Sequence, residues 1–354
     1  MTICYFGTYN KHDPRNRVLL GAFKDLGIEV LECNTTERGL KKYLDLARKL
    51  RALRGRYEIL FVAFPGYTTA ILAKLLSHRR RMILDAYISY YDTLLDRKRY
   101  PRYHPRLLMG LFLDTLSTFL ADEVLTINSA YRKFFIEKIK VSPAKIHVIR
   151  KGADQSLFYP RNEIENSHVS AGSFVVGWYG SFIPLHGVEY IIEAARVLKN
   201  ESEIEFWLIG TGQTYERMRS MASEHQLDAV KFLGRYPYEE LPKMIQRMDV
   251  VLGIFSPNEK AMRCVTNKVY EAIAMGKAVI TEDSPANQEI FTHRRDVYLC
   301  EPGSGQALAD AILEMKNNPD LKKTLEIHSY QLFRDRFSRK HIAADLLRVI
   351  HHHV

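Results

Sequence analysis

The stretch from Lys260 to Ile280 holds the densest set of residues able to do chemistry: Lys260, Arg263, Asn267, Lys268 and Glu271, closed by Gly276. Its pattern predicts a basic loop, a helix over 267–275, a glycine stop and a buried strand over 278–281. The first turn of a helix leaves backbone N–H groups without helical partners and carries about half a positive charge, so it attracts phosphate. Arg263 and Lys268 add cations beside that end, with Lys260 just ahead. Glu271 lies one turn further along a helix that is otherwise apolar (Val269, Ala272, Ile273, Met275). A carboxylate in that setting needs hydrogen-bond donors, and ribose hydroxyls are one source. A pair with a nearby lysine is the plain structural alternative.

Glycines after strand-like runs form the second group. Gly180 opens the segment Gly180-Ser181-Phe182-Ile183-Pro184-Leu185-His186-Gly187, and Gly210 and Gly212 follow the run 205–209. Two glycine-rich strand ends in one sheet make a concave wall suited to a nucleotide, although each alone is an ordinary tight turn. Gly7, after the run 3–6, allows a similarly close backbone approach. None of these forms Gly-x-Gly-x-x-Gly, so a dinucleotide cofactor is not indicated.

The elements that must carry these residues alternate. Candidate strands are 3–6, 29–33, 59–64, 82–85, 123–127 and 146–150, then 174–179, 205–209, 230–232, 250–254, 278–281 and 297–300. Helical periodicity lies between them, at 15–26, 40–54, 68–78, 188–198, 215–224, 239–247, 267–275 and 306–315. Strands alternating with helices specify parallel sheets covered on both faces. The pattern runs through twice, and a chain of 354 residues exceeds one core. The expectation is an α/β protein with two doubly wound, Rossmann-like domains around a cleft: 1–155, a linker at 156–172, 173–337, and a C-terminal helix at 338–354 packing back toward the first domain. The break, within 152–172, is polar and lacks periodicity. Helix 338–354 ends in His351–His353, read as a solvated tail, because three consecutive histidines do not share a helix face.

Charge is unevenly divided. Residues 1–160 carry 28 Lys+Arg against 15 Asp+Glu, and residues 161–354 carry 23 against 26, out of a net +10. A strongly basic half points to an anionic partner. No apolar run exceeds seven residues, so a spanning helix is not expected. The N-terminus lacks the longer apolar stretch of a signal peptide, and Cys4, Cys33, Cys264 and Cys300 form no Cys-x-x-Cys pair; a cytoplasmic protein with reduced thiols is expected. No recognition helix or base-stacking motif suggests nucleic acid.

In order and spacing, the motifs resemble glycosyltransferase family 4, the group 1 transferases, across nearly the whole chain. The resemblance rests on the Gly7 turn, Arg150-Lys151-Gly152-Ala153-Asp154 with Phe158-Tyr159-Pro160, Gly180 with Pro184-Leu185-His186-Gly187, Gly210-Thr211-Gly212, Phe232-Leu233-Gly234-Arg235 with Glu240-Leu241, and Glu271-Ala272 with Gly276. It implies the GT-B fold. It also implies a nucleotide-sugar donor, UDP- or GDP-linked, held by the second domain through Gly180, Ser181, His186, Gly210, Gly212, Arg235, Tyr236, Lys260, Arg263, Asn267, Lys268 and Glu271, with Gly7 opposite. The implied chemistry is sugar transfer to a glycan or lipid-linked acceptor with retention of configuration and no divalent metal. The lack of any Asp-x-Asp triplet fits that last point. No resident cofactor is expected.

The chain departs from the family at three positions. Arg263 stands where the first of two family glutamates orients the donor sugar, and Ser181 and His186 stand where the family has an Arg and a Lys. The expectation is that Arg263, Lys268 and Lys260 take over the diphosphate charge, with His186 adding a hydrogen bond or a charge if protonated. In the first half, the family commonly has a His near the end of strand 82–85; this chain has Asp85 there and Asp92 further on, the two candidate catalytic carboxylates. A strand-end cap is the alternative for Asp85. The basic loop at 97–106, with Arg97, Lys98, Arg99 and Arg102, is the expected contact with an anionic membrane or acceptor, which would place the protein at the inner membrane face. The apolar run 107–113 reads as core. A non-catalytic GT-B subunit and a sugar-nucleotide epimerase stay open as alternatives.

Overall fold

The structure is a computed structural model that describes residues 1–77, 79–98, 100–101, 103–161 and 172–352. It divides into two compact units, Met1–Lys151 with Arg339–Val354, and Gly152–Ser338. Each is built on a six-stranded sheet in which every strand pair is parallel.

In the first unit the strands are β1 (Thr2–Gly7), β2 (Glu29–Asn34), β3 (Ile59–Val62), β4 (Arg81–Tyr87), β5 (Glu123–Thr126) and β6 (Ile146–Val148), in the order β2-β1-β3-β4-β5-β6. The central strands read as continuous apolar runs because both faces are covered. Ile3, Tyr5, Phe61 and Ile83 pack against Val18, Leu19 and Phe23 of helix Pro14–Asp25. The C-terminal helix Arg339–His351 completes this core, burying Ile342, Leu346 and Ile350. Arg339 pairs with Asp25 at 2.6 Å, and the Arg81 guanidinium donates to the Val349 carbonyl at 2.7 Å and also to that of Ile350. His351 and His352 are exposed, and the His352 ring meets His147 at 5.1 Å; His353 lies outside the described residues.

The second unit holds β7 (Phe174–Tyr179), β8 (Ile204–Ile209), β9 (Val230–Gly234), β10 (Val250–Leu252), β11 (Ala278–Glu282) and β12 (Tyr298–Cys300), in the order β12-β11-β10-β7-β8-β9. It starts earlier than the expected boundary at 155. Ala153 and Phe158 are buried in its core, and the Phe158 ring meets Tyr238 at 5.3 Å, so this segment is anchored by apolar side chains and is not a free linker. Positions 162–171 of the expected linker lie outside the described residues.

Two expectations in the first unit change. Arg97 and Lys98 close a helix, Tyr90–Lys98, in place of a basic loop, while Arg99 and Arg102 lie outside the described residues. The run 107–113 belongs to helix Pro105–Leu120 and is not all core: Leu107 and Gly110 are buried, whereas Leu108, Met109 and Phe112 are exposed. A continuous apolar run on a helix visits every face, so it cannot be assigned to the interior from composition.

Cutting Leu346 to Ala removes a fully buried side chain from the seam between the C-terminal helix and helix Pro14–Asp25. We expect a loss of about 2–5 kcal/mol, read as a lower urea midpoint for the first unit's transition. An unchanged midpoint would show that the C-terminal helix does not hold this core.

Candidate nucleotide site

The site is assembled at the carboxyl ends of β7, β8 and β9, where an open parallel sheet binds ligands. The glycines at these ends are there for space. A Cβ on Gly210 would stand 1.8 Å from the Gly180 carbonyl oxygen, and Gly210 has φ +135°. Gly212 would meet the Phe182 carbonyl oxygen at 2.7 Å, and Gly187 the Ser256 backbone nitrogen at 2.4 Å. The turns are laced together as well: Gly180 N–H donates to Ile209 O at 2.9 Å and Phe182 N–H to Thr211 O at 3.0 Å. Beside them lies a cavity of about 390 Å³. Its lining includes Gly180, Ser181, Gly210, Thr211, Arg235 and Tyr236, so it gathers five of the expected donor residues.

Helix Asn267–Ala274 brings the charges. Thr266, at its N-cap, makes no side-chain cap hydrogen bond. Lys268 is buried, with its ammonium 4.4 Å from the centre of the Trp178 ring and 3.3 Å from where a Gly180 Cβ would stand. A cation, a helix N-terminus and a side-chain-free turn therefore converge at Gly180. Lys260 is buried at the start of the short 3₁₀ turn Ala261–Arg263, and Arg263 lies 3.6 Å from the exposed Glu259. His186 Nδ1 is 2.6 Å from the Ser181 carbonyl oxygen, so this nitrogen carries the hydrogen. Protonation would then place a second N–H on Nε2.

Glu271 is buried, and its carboxylate is held by two tyrosines. Tyr179 Oη donates to Oε2 at 2.9 Å and Tyr238 Oη to Oε1 at 2.7 Å. Both tyrosines line the cavity. Sequence reasoning missed both, together with Trp178. Tyr179 carried a signal, as the last residue of a strand leading into Gly180; Tyr238, 33 residues from Glu271, carried none.

Gly7, Asp85 and Asp92 belong to the first unit. Gly7, at the end of β1, has φ +146°, and a Cβ there would meet the Ala63 carbonyl oxygen at an ordinary 3.5 Å. Asp85 sits inside β4, fully buried, with Arg15 donating to both oxygens at 3.0 and 2.9 Å. The same guanidinium donates to the Ile149 and Arg150 carbonyls, so the pair ties helix Pro14–Asp25 to two parts of the sheet. Neither a strand-end cap nor an accessible base describes Asp85. Asp92 is also buried and accepts from Tyr131 Oη at 2.9 Å. Tyr87, missed from sequence, ends β4 with φ +56° and has Lys151 and Arg15 against its ring at 5.1 and 5.5 Å.

Residues 173–318 match the family described as "Glycosyl transferases group 1". The second unit thus carries a sequence likeness to the group 1 glycosyltransferases. An uncharacterized glycosyltransferase of Methanocaldococcus jannaschii is 23% identical over 218 residues, covering 62% of this chain and 56% of that one. A lipopolysaccharide core biosynthesis glycosyltransferase of Rhizobium meliloti is 27% identical over 173 residues, covering 49% and 48%. The matched stretch thus spans about half the length of these curated relatives. Among solved structures, Anabaena HepE in complex with UDP and glucose aligns with TM-score 0.75 and 18% identity over 99% of this chain and 100% of that one. Sucrose-phosphate synthase from Thermosynechococcus elongatus aligns with TM-score 0.77 and 15% identity over 99% and 98%. The fold is GT-B, two Rossmann-like domains.

One buried acid near Lys268 sets a pH dependence. Glu282, at the end of β11, is fully buried, and burial pushes its carboxyl up from 4.5 to about 8, against the opposing pull of the Thr281 and Ser284 hydroxyls and the Lys268 charge. A folded-state value above the unfolded one means that the folded protein holds the extra proton. This contribution to stability is complete below pH 4.5 and is lost as pH rises through about 8. The melting temperature should fall from about pH 5 to about pH 9, and less steeply in Glu282→Gln. Asp114, similarly raised to about 6, leaves a residual slope. Identical slopes in the two proteins would contradict the assignment.

Proposed function

We propose that this chain is a retaining, metal-independent glycosyltransferase. It takes a sugar from a UDP- or GDP-sugar and passes it to a glycan or lipid-linked acceptor, in polysaccharide or glycolipid assembly at the cytoplasmic membrane face. The observation that carries the donor reading is the convergence at Gly180 of Lys268, the first turn of helix Asn267–Ala274 and the glycine ends of β7 and β8. The UDP bound by Anabaena HepE and the lipopolysaccharide core biosynthesis role of the R. meliloti relative support the same donor and product classes.

In this reading the diphosphate lies against the Gly180 turn, and its charge is met by Lys268 and the helix dipole, with Arg263 and Lys260 nearby. That cluster stabilises the diphosphate as the glycosidic bond to the sugar breaks, the part a divalent ion plays in metal-dependent transferases. Glu271 receives the ribose hydroxyls. Tyr179 and Tyr238 orient its carboxylate. With Asp85 committed to Arg15, the acceptor proton goes to the leaving diphosphate on the retained face, and neither Asp85 nor Asp92 serves as the base.

A second reading, a non-catalytic subunit, is favoured by one observation: Arg263, Ser181 and His186 replace the family's sugar-orienting and diphosphate-binding side chains. A thermal-shift panel of UDP, GDP, ADP and CMP separates the two. The transferase reading predicts a rise in melting temperature with one nucleotide, since a ligand that binds only the folded state stabilises it. Glu271→Ala should weaken that nucleotide roughly 10- to 100-fold. No shift with any of the four would favour the non-catalytic subunit. Turnover should survive EDTA and require an acceptor, which an epimerase would not.

A further inference from the structure

Helix Pro105–Leu120 is amphipathic in the reverse of the usual sense. Its buried residues are Leu107, Gly110, Asp114, Ser117 and Thr118, four of them polar or without a side chain. Asp114 points inward, where it accepts from Ser89 Oγ at 2.6 Å and from the backbone N–H groups of Tyr90 and Tyr91 at 3.1 and 2.9 Å. It thereby caps the neighbouring helix Tyr90–Lys98. The outward face carries Leu108, Met109, Phe112 and Phe119, which are 53%, 56%, 57% and 76% exposed. At 100° per residue these four fall within about a third of the helix circumference. The adjoining helix Ala70–Leu76 exposes Leu75 in addition. A contiguous apolar stripe of this kind marks an interaction surface.

Cations flank the stripe, and the Asp122 carboxylate at its far end is paired with Lys74 at 3.1 Å. Arg106 is exposed at the head of the helix, with Arg97 exposed at the end of its neighbour. At the other end, Lys145 donates to the Phe119 carbonyl at 2.8 Å and lies 5.9 Å from the Phe119 ring. The helix's one acidic residue, Asp114, is buried. From these observations we infer that helix Pro105–Leu120 lies in the surface of an anionic membrane, with Leu108, Met109, Phe112 and Phe119 in the acyl boundary and the surrounding cations on the headgroups. An apolar face rimmed by cations matches the chemistry of that boundary. No helix among the described residues is long and apolar enough to cross a membrane, so the contact is interfacial. The inference deepens the membrane-face reading and rests on it; the donor site is in the other unit, so each can fail without the other.

The test uses the full chain and vesicles of phosphatidylcholine, with or without phosphatidylglycerol, in a sedimentation assay. Wild type should bind the anionic vesicles and bind less as salt rises. Phe112→Ser/Phe119→Ser should lower the partition coefficient by about tenfold or more even at low salt. Its melting temperature and nucleotide shift should match wild type, which shows that the variant is folded. Phe112→Trp should show a fluorescence blue shift on adding anionic vesicles. Wild type failing to bind either vesicle, or the double variant binding equally well, would overturn the inference. So would light scattering that gives a dimer for wild type and a monomer for the double variant, because a second copy would then be what covers the stripe.

Discussion

Two backbones meet at the carboxyl ends of β7 and β8 with no room for a side chain between them. Gly210 lies so near the Gly180 carbonyl that even a methyl group would collide with it. Everything proposed for the donor site follows from that approach. It clears a concave surface of backbone beside Gly180, and it lets the Lys268 ammonium sit against the turn and over Trp178. A bulkier turn would push the cation away from the place where the helix dipole also points. The positive field at this spot is therefore a product of packing, with glycine as the enabling residue.

The second unit also shows how a buried carboxylate is made usable. Glu271 on an apolar helix would be costly alone, yet two tyrosine hydroxyls hold it, one from the strand end before Gly180 and one from the turn after β9. The tyrosines link the helix to the Gly180 turn and to the turn after β9, so the charge-bearing and space-giving parts of the site keep one geometry. In the first unit the same logic serves stability. Arg15 and Asp85 form a buried, bidentate pair whose remaining donors reach backbone carbonyls, an arrangement that offsets desolvation by satisfying hydrogen bonds.

Much of this was legible in the sequence because it is local. Every one of the twelve strands follows from short β-branched and aromatic runs, and the donor glycines follow from their places at strand ends. The phosphate-facing role proposed for Lys268 comes from its position in a first turn. What was not legible depends on distant partners. Nothing near Asp85 announces Arg15, which is 70 residues away, and nothing near Glu271 announces Tyr238. Helix Pro105–Leu120 was misread for a different reason. Its apolar residues were assigned to the core by composition, whereas the capping demand of the Tyr90–Lys98 helix turns Asp114 inward and leaves the apolar face outside.

The central claim is that Lys268 and the Gly180 turn recognise a diphosphate. It is tested most directly by isothermal titration of a nucleoside diphosphate (UDP or GDP) and of the matching nucleoside against wild type and Lys268→Met. Removing a buried cation from a phosphate contact should weaken the diphosphate roughly 10- to 100-fold and leave the nucleoside unchanged. Equal affinities for the diphosphate in the two proteins, or an equal loss for the nucleoside, would contradict the account.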